Sequence, residues 1–279
     1  MGNLQDNEAI HDRVNLEVDG IRVQIEGSGP DTILMLHGWP DTLALWDSSV
    51  AALKGSYRCA RFTLPGYDNT QASRPTSVAD MTTLIAKIVE AISPARPVVV
   101  MCHDWGCFFG YEFVARHPQK VQRLVGVDIG DTNRSVYAKS LNSRQKRMIF
   151  GYQMWLAIAW KIGESVSASL GTRMTRWMAK TIGYRGPLEP ISWQMCYPYA
   201  MRWMGVKGGF TGTAPMNLTH PTLFIYGAKK PFMFHSAQFL EQLAAYPGSE
   251  GHGLQTGHWV MVQKPEEFNR LVLDWLARV

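Results

Sequence analysis

Early in the chain, Val14-Asn15-Leu16-Glu17-Val18 and Ile21-Arg22-Val23-Gln24-Ile25 alternate apolar and polar about Asp19-Gly20, the period of two and the turn dipeptide that predict a β-hairpin. The pattern then changes to short apolar runs. Thr32–Leu36 and residues 57–64, 98–101, 123–130 and 221–227 each read as a buried strand, and a shorter, weaker one precedes Gly253-Leu254. Between them lie helical stretches. Ser77 with Asp80 three residues on resembles a capping box opening the helix Val78–Ile92, residues 108–116 and 236–245 follow the same period, and Pro265 opens a terminal helix over 265–279. Strands alternating with helices predict an α/β fold with a mostly parallel, twisted sheet covered on both faces. Residues 131–218 differ: they are rich in Trp, Met, Tyr and Arg, carry helical periodicity and show no convincing strand. The expected organisation is therefore an α/β core in two parts, 1–130 and 219–279, interrupted by a helical cap over 131–218.

Composition narrows the class. A chain of 279 residues with 46% hydrophobic content can bury the core of one large domain. The formal charge of +5 is scattered, and its tight clusters, Arg144-Gln145-Lys146-Arg147 and Lys229-Lys230, lack any Gly/aromatic nucleic-acid signature, so they read as solvated faces. Cys59, Cys102, Cys107 and Cys196 show neither disulfide nor zinc spacing and fit a reducing compartment. The octapeptide Met1-Gly2-Asn3-Leu4-Gln5-Asp6-Asn7-Glu8 has no apolar signal-peptide core, and the run from Met154 to Ile162 is too short to span a bilayer. The expectation is a cytoplasmic protein, monomer or homodimer, with no nucleic-acid or membrane partner and no metal or cofactor.

The chemistry concentrates in Val98-Val99-Val100-Met101-Cys102-His103-Asp104-Trp105-Gly106-Cys107, a strand, a tight turn and a helix start in which Cys102 and Gly106 flank a tip residue as in a nucleophile elbow. The tip is Asp104. A carboxylate attacking an acyl carbon gives an anhydride and gains nothing, whereas attack on an electrophilic saturated carbon gives an alkyl ester that activated water can hydrolyse. Asp104 therefore favours epoxides and halides over esters; the competing reading is a carboxylate that merely caps the following helix. In the loop after Thr32–Leu36, His37-Gly38-Trp39-Pro40, the backbone N–H of Trp39 pairs with that of Trp105 as a candidate oxyanion hole.

His37-Gly38-Trp39-Pro40, His103-Asp104-Trp105-Gly106 and Gly257-His258-Trp259 occur in the order and spacing of the α/β-hydrolase superfamily, and the elbow resembles that of epoxide hydrolases and haloalkane dehalogenases. The resemblance implies an α/β-hydrolase fold, a nucleophilic Asp104, a general base His258, an acid that orients it, and a cap carrying the leaving-group acid. His252 is the rival base. His37 and His103 are expected to hydrogen-bond backbone near the oxyanion hole and to border the substrate, while His11, His117, His220 and His235 read as structural or surface residues. Epoxide hydrolases often carry the acid where this chain has Lys230, and a lysine can neither accept the imidazole N–H nor stabilise an imidazolium. The second family arrangement points to Asp128, 24 residues beyond Asp104, with Asp131 in reserve; a loop-capping carboxylate is the competing reading of Asp128.

The electrophile is read from the cap. Epoxide opening makes an alkoxide that needs proton donors, and Tyr152-Gln153 resembles the first tyrosine motif of epoxide hydrolases. Tyr199 lies nearest the expected second position, with Tyr197 as its substitute; packing aromatics are the competing reading for all three. The asparagine that dehalogenases often place in the first motif is Trp39 here, and Cys107 and Phe108 stand where fluoroacetate dehalogenases have an arginine pair. Epoxide hydrolysis leads, with dehalogenation and non-catalytic binding as alternatives. Trp155, Trp160, Met195 and Trp203 suggest an apolar pocket for a small apolar electrophile.

Overall fold

The structure, a computed structural model, describes residues 13–279; the N-terminal octapeptide and His11 lie outside the described residues. Strands β1 (Arg13–Val18), β2 (Ile21–Glu26), β3 (Thr32–Leu36), β4 (Arg58–Phe62), β5 (Val98–His103), β6 (Val121–Val127), β7 (Thr222–Gly227) and β8 (Glu250–Leu254) form one sheet in the order β1-β2-β4-β3-β5-β6-β7-β8. The strands from β4 to β8 in that order pair in parallel, and the β1–β2 hairpin joins antiparallel at one edge. The hairpin turns on Asp19 and Gly20, both at positive φ, as a two-residue turn matching strand twist requires.

Helices cover both faces: α1 (Asp47–Leu53), α2 (Val78–Ile92), α3 (Trp105–Arg116), α8 (Ala237–Ala245), α9 (Val260–Gln263) and α10 (Pro265–Arg278). Every residue of β5 is buried because successive side chains enter opposite layers. Val98, Val100 and Cys102 join Ile85 of α2 and Phe109 of α3, while Val99 and Met101 join Val50 of α1 and Phe268 and Trp275 of α10. Between β6 and β7 the described chain is helical: α4 (Ser135–Ser140), α5 (Ser143–Ser165), α6 (Ala168–Thr181) and α7 (Tyr197–Met204), with short 3-10 turns. This insertion closes over the sheet where Tyr199 meets the rings of Trp39 and Trp105, and Tyr197 meets Tyr67.

The pattern located each strand and missed some ends. The strand expected over 123–130 runs from Val121 to Val127, because Asp128 turns to φ 68° and leaves the ladder. The expected elbow helix opens at Trp105, three residues before the apolar run suggested. The 3-10 turn Leu43–Trp46 and α1 were not anticipated: seven residues are too few to show a period, and the segment is anchored by tertiary burial of Trp46, Val50 and Leu53.

Gly106 explains how α3 comes so close to β3. A Cβ there would lie 2.3 Å from the Leu36 carbonyl oxygen and 2.5 Å from that of His37, with backbone that cannot swing aside. Gly106→Ala should therefore lower the melting temperature by several degrees, on the order of 1–3 kcal/mol. Gly55→Ala, where a Cβ meets nothing within 4 Å, should leave it unchanged; equal melting curves for the two variants would contradict this account of the packing.

Candidate active site

The strand-turn-helix at β5 and α3 places Asp104 at φ 51°, ψ −123°, a conformation that costs a non-glycine residue about 1–3 kcal/mol. Its side chain makes no capping hydrogen bond at the start of α3. The carboxylate leans instead toward the loop after β3, where Oδ1 accepts the Trp39 backbone N–H at 2.7 Å. The backbone N–H of Trp105 is also directed at the carboxylate. Gly38 permits the approach, since a Cβ there would lie 2.5 Å from both Asp104 Oδ1 and the Trp105 nitrogen.

His258 sits in the loop between β8 and α9, and that loop is pressed against the end of β7. A Cβ on Gly227 would come within 1.8 Å of the Gly257 carbonyl oxygen, so two backbones meet with no side chain between them. The ring presents Nε2 to Asp104 Oδ2 at 3.5 Å, and Nδ1–H donates to Asp128 Oδ2 at 2.5 Å. Asp128, at the end of β6, is fully buried, and its other oxygen accepts the Gly227 N–H at 2.9 Å and pairs with the Lys230 ammonium.

Electrostatics separate the histidines. Burial alone would lower the His258 pKa, but Asp128 and then Asp104 outweigh it and hold the imidazolium up to about 9. Burial raises the Asp128 carboxyl, and the His258 and Lys230 charges more than reverse it, bringing it to about 2. Burial likewise opposes ionisation of Asp104, yet its hydrogen bond and charge contact with His258 hold it below the usual carboxylate range. Burial leaves His37 and His103 neutral, lowered to about 4 and about 3.

Sequence reasoning proposed roles for other residues, and the structure places them variously. His37 and His103 are fully buried and border backbone, not the cavity: His37 Nε2 accepts the Leu64 N–H at 2.9 Å, and His103 Nε2 lies 3.1 Å from the His258 carbonyl oxygen. His252, the rival base, pairs with Glu250, and both oxygens of Asp131 are taken by Ser236 at the start of α8, so neither joins the cluster. Of the other histidines, His220 lies between the Thr219 hydroxyl and the Pro118 carbonyl, His117 packs on Phe113, and His235 borders the Ser236 carbonyl oxygen.

Above Asp104 opens a cavity of about 390 Å³, walled by Trp105, Phe108, Phe234, Tyr152 and Tyr199. Burial pushes both phenols above their ordinary range, so both are protonated at neutral pH. The Tyr152 oxygen already accepts from Gln153 Nε2 at 3.1 Å, and Gln153 is in turn held by the Trp203 indole. The Trp105 side chain acts similarly on the Tyr199 hydroxyl. Tyr197 is fully buried beneath this layer and does not line the cavity. Among the four apolar cap residues singled out in the sequence, only Trp203 reaches the cavity; Trp155 packs on Trp177, Trp160 on Trp193, and Met195 is buried in the core.

Two residues escaped the sequence reading. Lys230, which cannot itself accept the imidazole N–H, lies against Asp128, a pairing that no local pattern in the sequence signals. Asp41 is buried beside the site and accepts the Trp259 indole N–H at 2.9 Å, and burial outweighs that bond and the nearby His258 charge to raise it to about 7. Among the described residues no group of three or more His, Cys, Asp or Glu is arranged to hold a metal, and no helix is long and apolar enough to cross a membrane.

Comparison with known proteins places this geometry. A family model described as alpha/beta hydrolase fold matches residues 31–265. "Probable oxidoreductase EphD" of Mycobacterium tuberculosis is 32% identical over 104 residues, a match that takes in 35% of this chain and only 18% of that protein. "Epoxide hydrolase 1" of Caenorhabditis elegans is 22% identical over 94% of this chain and 70% of its own length. The crystal structure of Bacillus megaterium epoxide hydrolase in complex with an inhibitor superposes with a TM-score of 0.68 at 18% identity, covering 95% of this chain and all of that one. At that identity the likeness carries the fold and leaves the reaction to the site.

The site makes a prediction about its own electrostatics. Because two carboxylates hold the His258 proton, Asp104→Asn removes one of them and should lower the pH at which the His258 ring titrates from about 9 toward the ordinary histidine range. Proton NMR of the ring measures this directly; an unchanged midpoint would mean Asp104 and His258 are not coupled.

Proposed function

The chain belongs to the α/β-hydrolase fold family, and on that premise we propose that it hydrolyses an epoxide to a vicinal diol through an alkyl ester on Asp104. The observation that carries the proposal is the pair of phenols, Tyr152 and Tyr199, lining the same cavity as Asp104 with oxygens that already receive an N–H from Gln153 or an interaction from the Trp105 indole. Such phenols have their own protons left to give. An epoxide oxygen that becomes an alkoxide needs that donor.

The steps follow from the contacts. Asp104 Oδ1 rests against the Trp39 N–H, which leaves Oδ2 as the attacking oxygen. It bonds to an epoxide carbon, the carbon–oxygen bond breaks, and a tyrosine proton passes to the alkoxide. Water then adds to the ester carbonyl while giving a proton to His258 Nε2, and the charge developing on Oδ1 is met by the Trp39 and Trp105 N–H groups; the adduct collapses by breaking the acyl carbon–Oδ2 bond, His258 returns its proton to that departing oxygen, the proton of the new carboxyl restores the tyrosine, and the diol departs. Asp128 fixes the imidazole orientation and supports the imidazolium as it forms. Loss of the Asp104 charge on alkylation weakens the hold on the His258 proton, so the base becomes available when the ester needs it.

Halide release is the less well supported reaction. A departing halide needs N–H donors aimed into the cavity, and the Trp105 ring is engaged edge-on with that of Tyr199 at 5.1 Å. The ring of Trp39 is buried and does not line the cavity. A purely binding role would leave the Asp104, His258 and Asp128 chain of contacts without purpose.

His258→Gln should trap the intermediate, because the first half-reaction does not need the base. Mass spectrometry after incubation with styrene oxide or an aliphatic epoxide should show an alkyl adduct mapping to Asp104. Tyr152→Phe and Tyr199→Phe together should slow its formation by at least about 100-fold. An unmodified Asp104 with every epoxide tried, alongside an adduct with a bromoalkane, would transfer the proposal to dehalogenation.

A further inference from the structure

Lys230 is a lysine withdrawn from water. Its side chain is only 7% exposed, and a buried ammonium is expensive unless well paired. Its partner is Asp128 Oδ1, the oxygen that also accepts the Gly227 N–H, while Oδ2 of the same carboxylate faces His258. The ammonium lies 5.2 Å above the Phe234 ring, and Phe234 in turn packs edge-on against His258 at 5.7 Å. Phe234 is fixed by backbone, its carbonyl oxygen accepting the Gly130 N–H at 2.8 Å.

Two cations thus share one carboxylate. Asp128 attracts the His258 proton, and whatever part of its charge is neutralised by Lys230 is lost to that attraction. The surroundings offer Lys230 little else. Asp128 faces it from the end of β6, while the buried, neutral His235 adjoins it from its own loop; His258, whose titration is at issue, is faced by Asp128 and Asp104, by the buried, neutral His103 ring of β5 at 4.4 Å, and by Asp41 from the loop after β3. Asp131, on the loop after β6, spends both oxygens on Ser236, and Asp104 lies beyond the imidazole.

We propose that Lys230 is a positioning residue for the hydrolytic half of the reaction: by occupying one oxygen of Asp128 it draws off part of that charge and sets the pH at which His258 can take a proton from water. The inference rests on the reaction proposed above. A lysine where related enzymes often carry an acid is then a working part of this version of the site. Without it, Asp128 would hold the imidazolium more firmly even after Asp104 is esterified, and the ester on Asp104 would persist to higher pH. With it, the triad acid keeps its orientation through Oδ2 and holds the proton less tightly.

The test uses the full chain with Lys230→Met, Lys230→Gln and Lys230→Arg. In the free enzyme, NMR titration of the His258 ring should move to higher pH by about one unit in the Met and Gln variants and stay near the wild-type value in the Arg variant. The Gln variant retains a hydrogen-bond donor for Oδ1, so it keeps the comparison available if the Met variant does not fold. With an epoxide substrate, the rate of adduct formation should be unchanged, whereas breakdown of the adduct at neutral pH should slow by about tenfold and recover as pH is raised. A His258 midpoint that does not rise in the folded Gln variant would overturn the proposal, as would equal loss in both half-reactions with no change in the pH profile. Should the titration shift while no epoxide is consumed, the electrostatic role of Lys230 stands and the assigned reaction falls.

Discussion

Two backbone turns lie almost in contact, the one leaving β3 and the one leaving β5, and the site depends on that proximity. Gly38 and Gly106 are the residues that allow it, each facing the other turn where a methyl group would collide with backbone or with Asp104 itself. From this single approach come the Trp39 N–H on Asp104 Oδ1 and the opening of α3 directly after the elbow. The strained dihedrals of Asp104 are held by β5 and α3, whose inward side chains are buried on both sides of the sheet. The carboxylate and its N–H donors are thereby fixed before any substrate arrives, which is the condition under which such donors stabilise charge most effectively.

Around the turns, environment and not residue type decides which groups are charged. His37 and His103 are fully buried, and His258 is largely so. The first two meet backbone groups and remain neutral, serving to tie loops together; the third meets two carboxylates and keeps a proton. The carboxylates divide in the same way. Asp128 has two cations and is held ionised, while Asp41 has two uncharged partners, the Trp259 indole and the Tyr184 hydroxyl, and burial raises it to about 7. Asp104, Asp128, His258 and Lys230 form a compact set of two negative and two positive charges, and the balance is what makes their burial tolerable.

How much of this could be read from the sequence depends on the range of the interaction. Period-two alternation gave the hairpin to within a residue, and the capping serine placed α2 at its observed ends. Asp104 could be singled out because a strand, two small residues and a helix start are adjacent in the chain. His258 and Asp128 required the family order of motifs, since 130 residues separate the two ends of their hydrogen bond. Lys230 was visible but read only for what it cannot do. Its pairing with Asp128 spans 102 residues and exists because β6 and β7 are neighbours in the sheet, a fact of topology and not of local pattern. The cap was the least legible region: aromatic residues at helical spacing supply walls and core alike, and nothing in the spacing separates Tyr152 and Tyr199 at the cavity from Tyr197 beneath it.

The arrangement of the cavity also bears on the kind of bond that could be broken in it. With a halide or an ester, the leaving group separates from the carbon under attack and needs its own exit. In an epoxide the leaving oxygen stays tethered to the molecule, one bond away from the neighbouring carbon. A site suited to it must therefore place nucleophile and proton donors on one small space, close enough to act on a three-membered ring. Here Asp104 and the two phenols line a single cavity of about 390 Å³, with the Tyr152 and Tyr199 rings 6.3 Å apart. Each phenol is braced by a neighbour, Gln153 for one and Trp105 for the other, and Gln153 is braced again by Trp203. Such bracing costs side-chain freedom and has little value for packing alone. In the reaction proposed above, two hydroxyl protons would be aimed at one oxygen, and that requirement would tie the cap to the chemistry of the elbow.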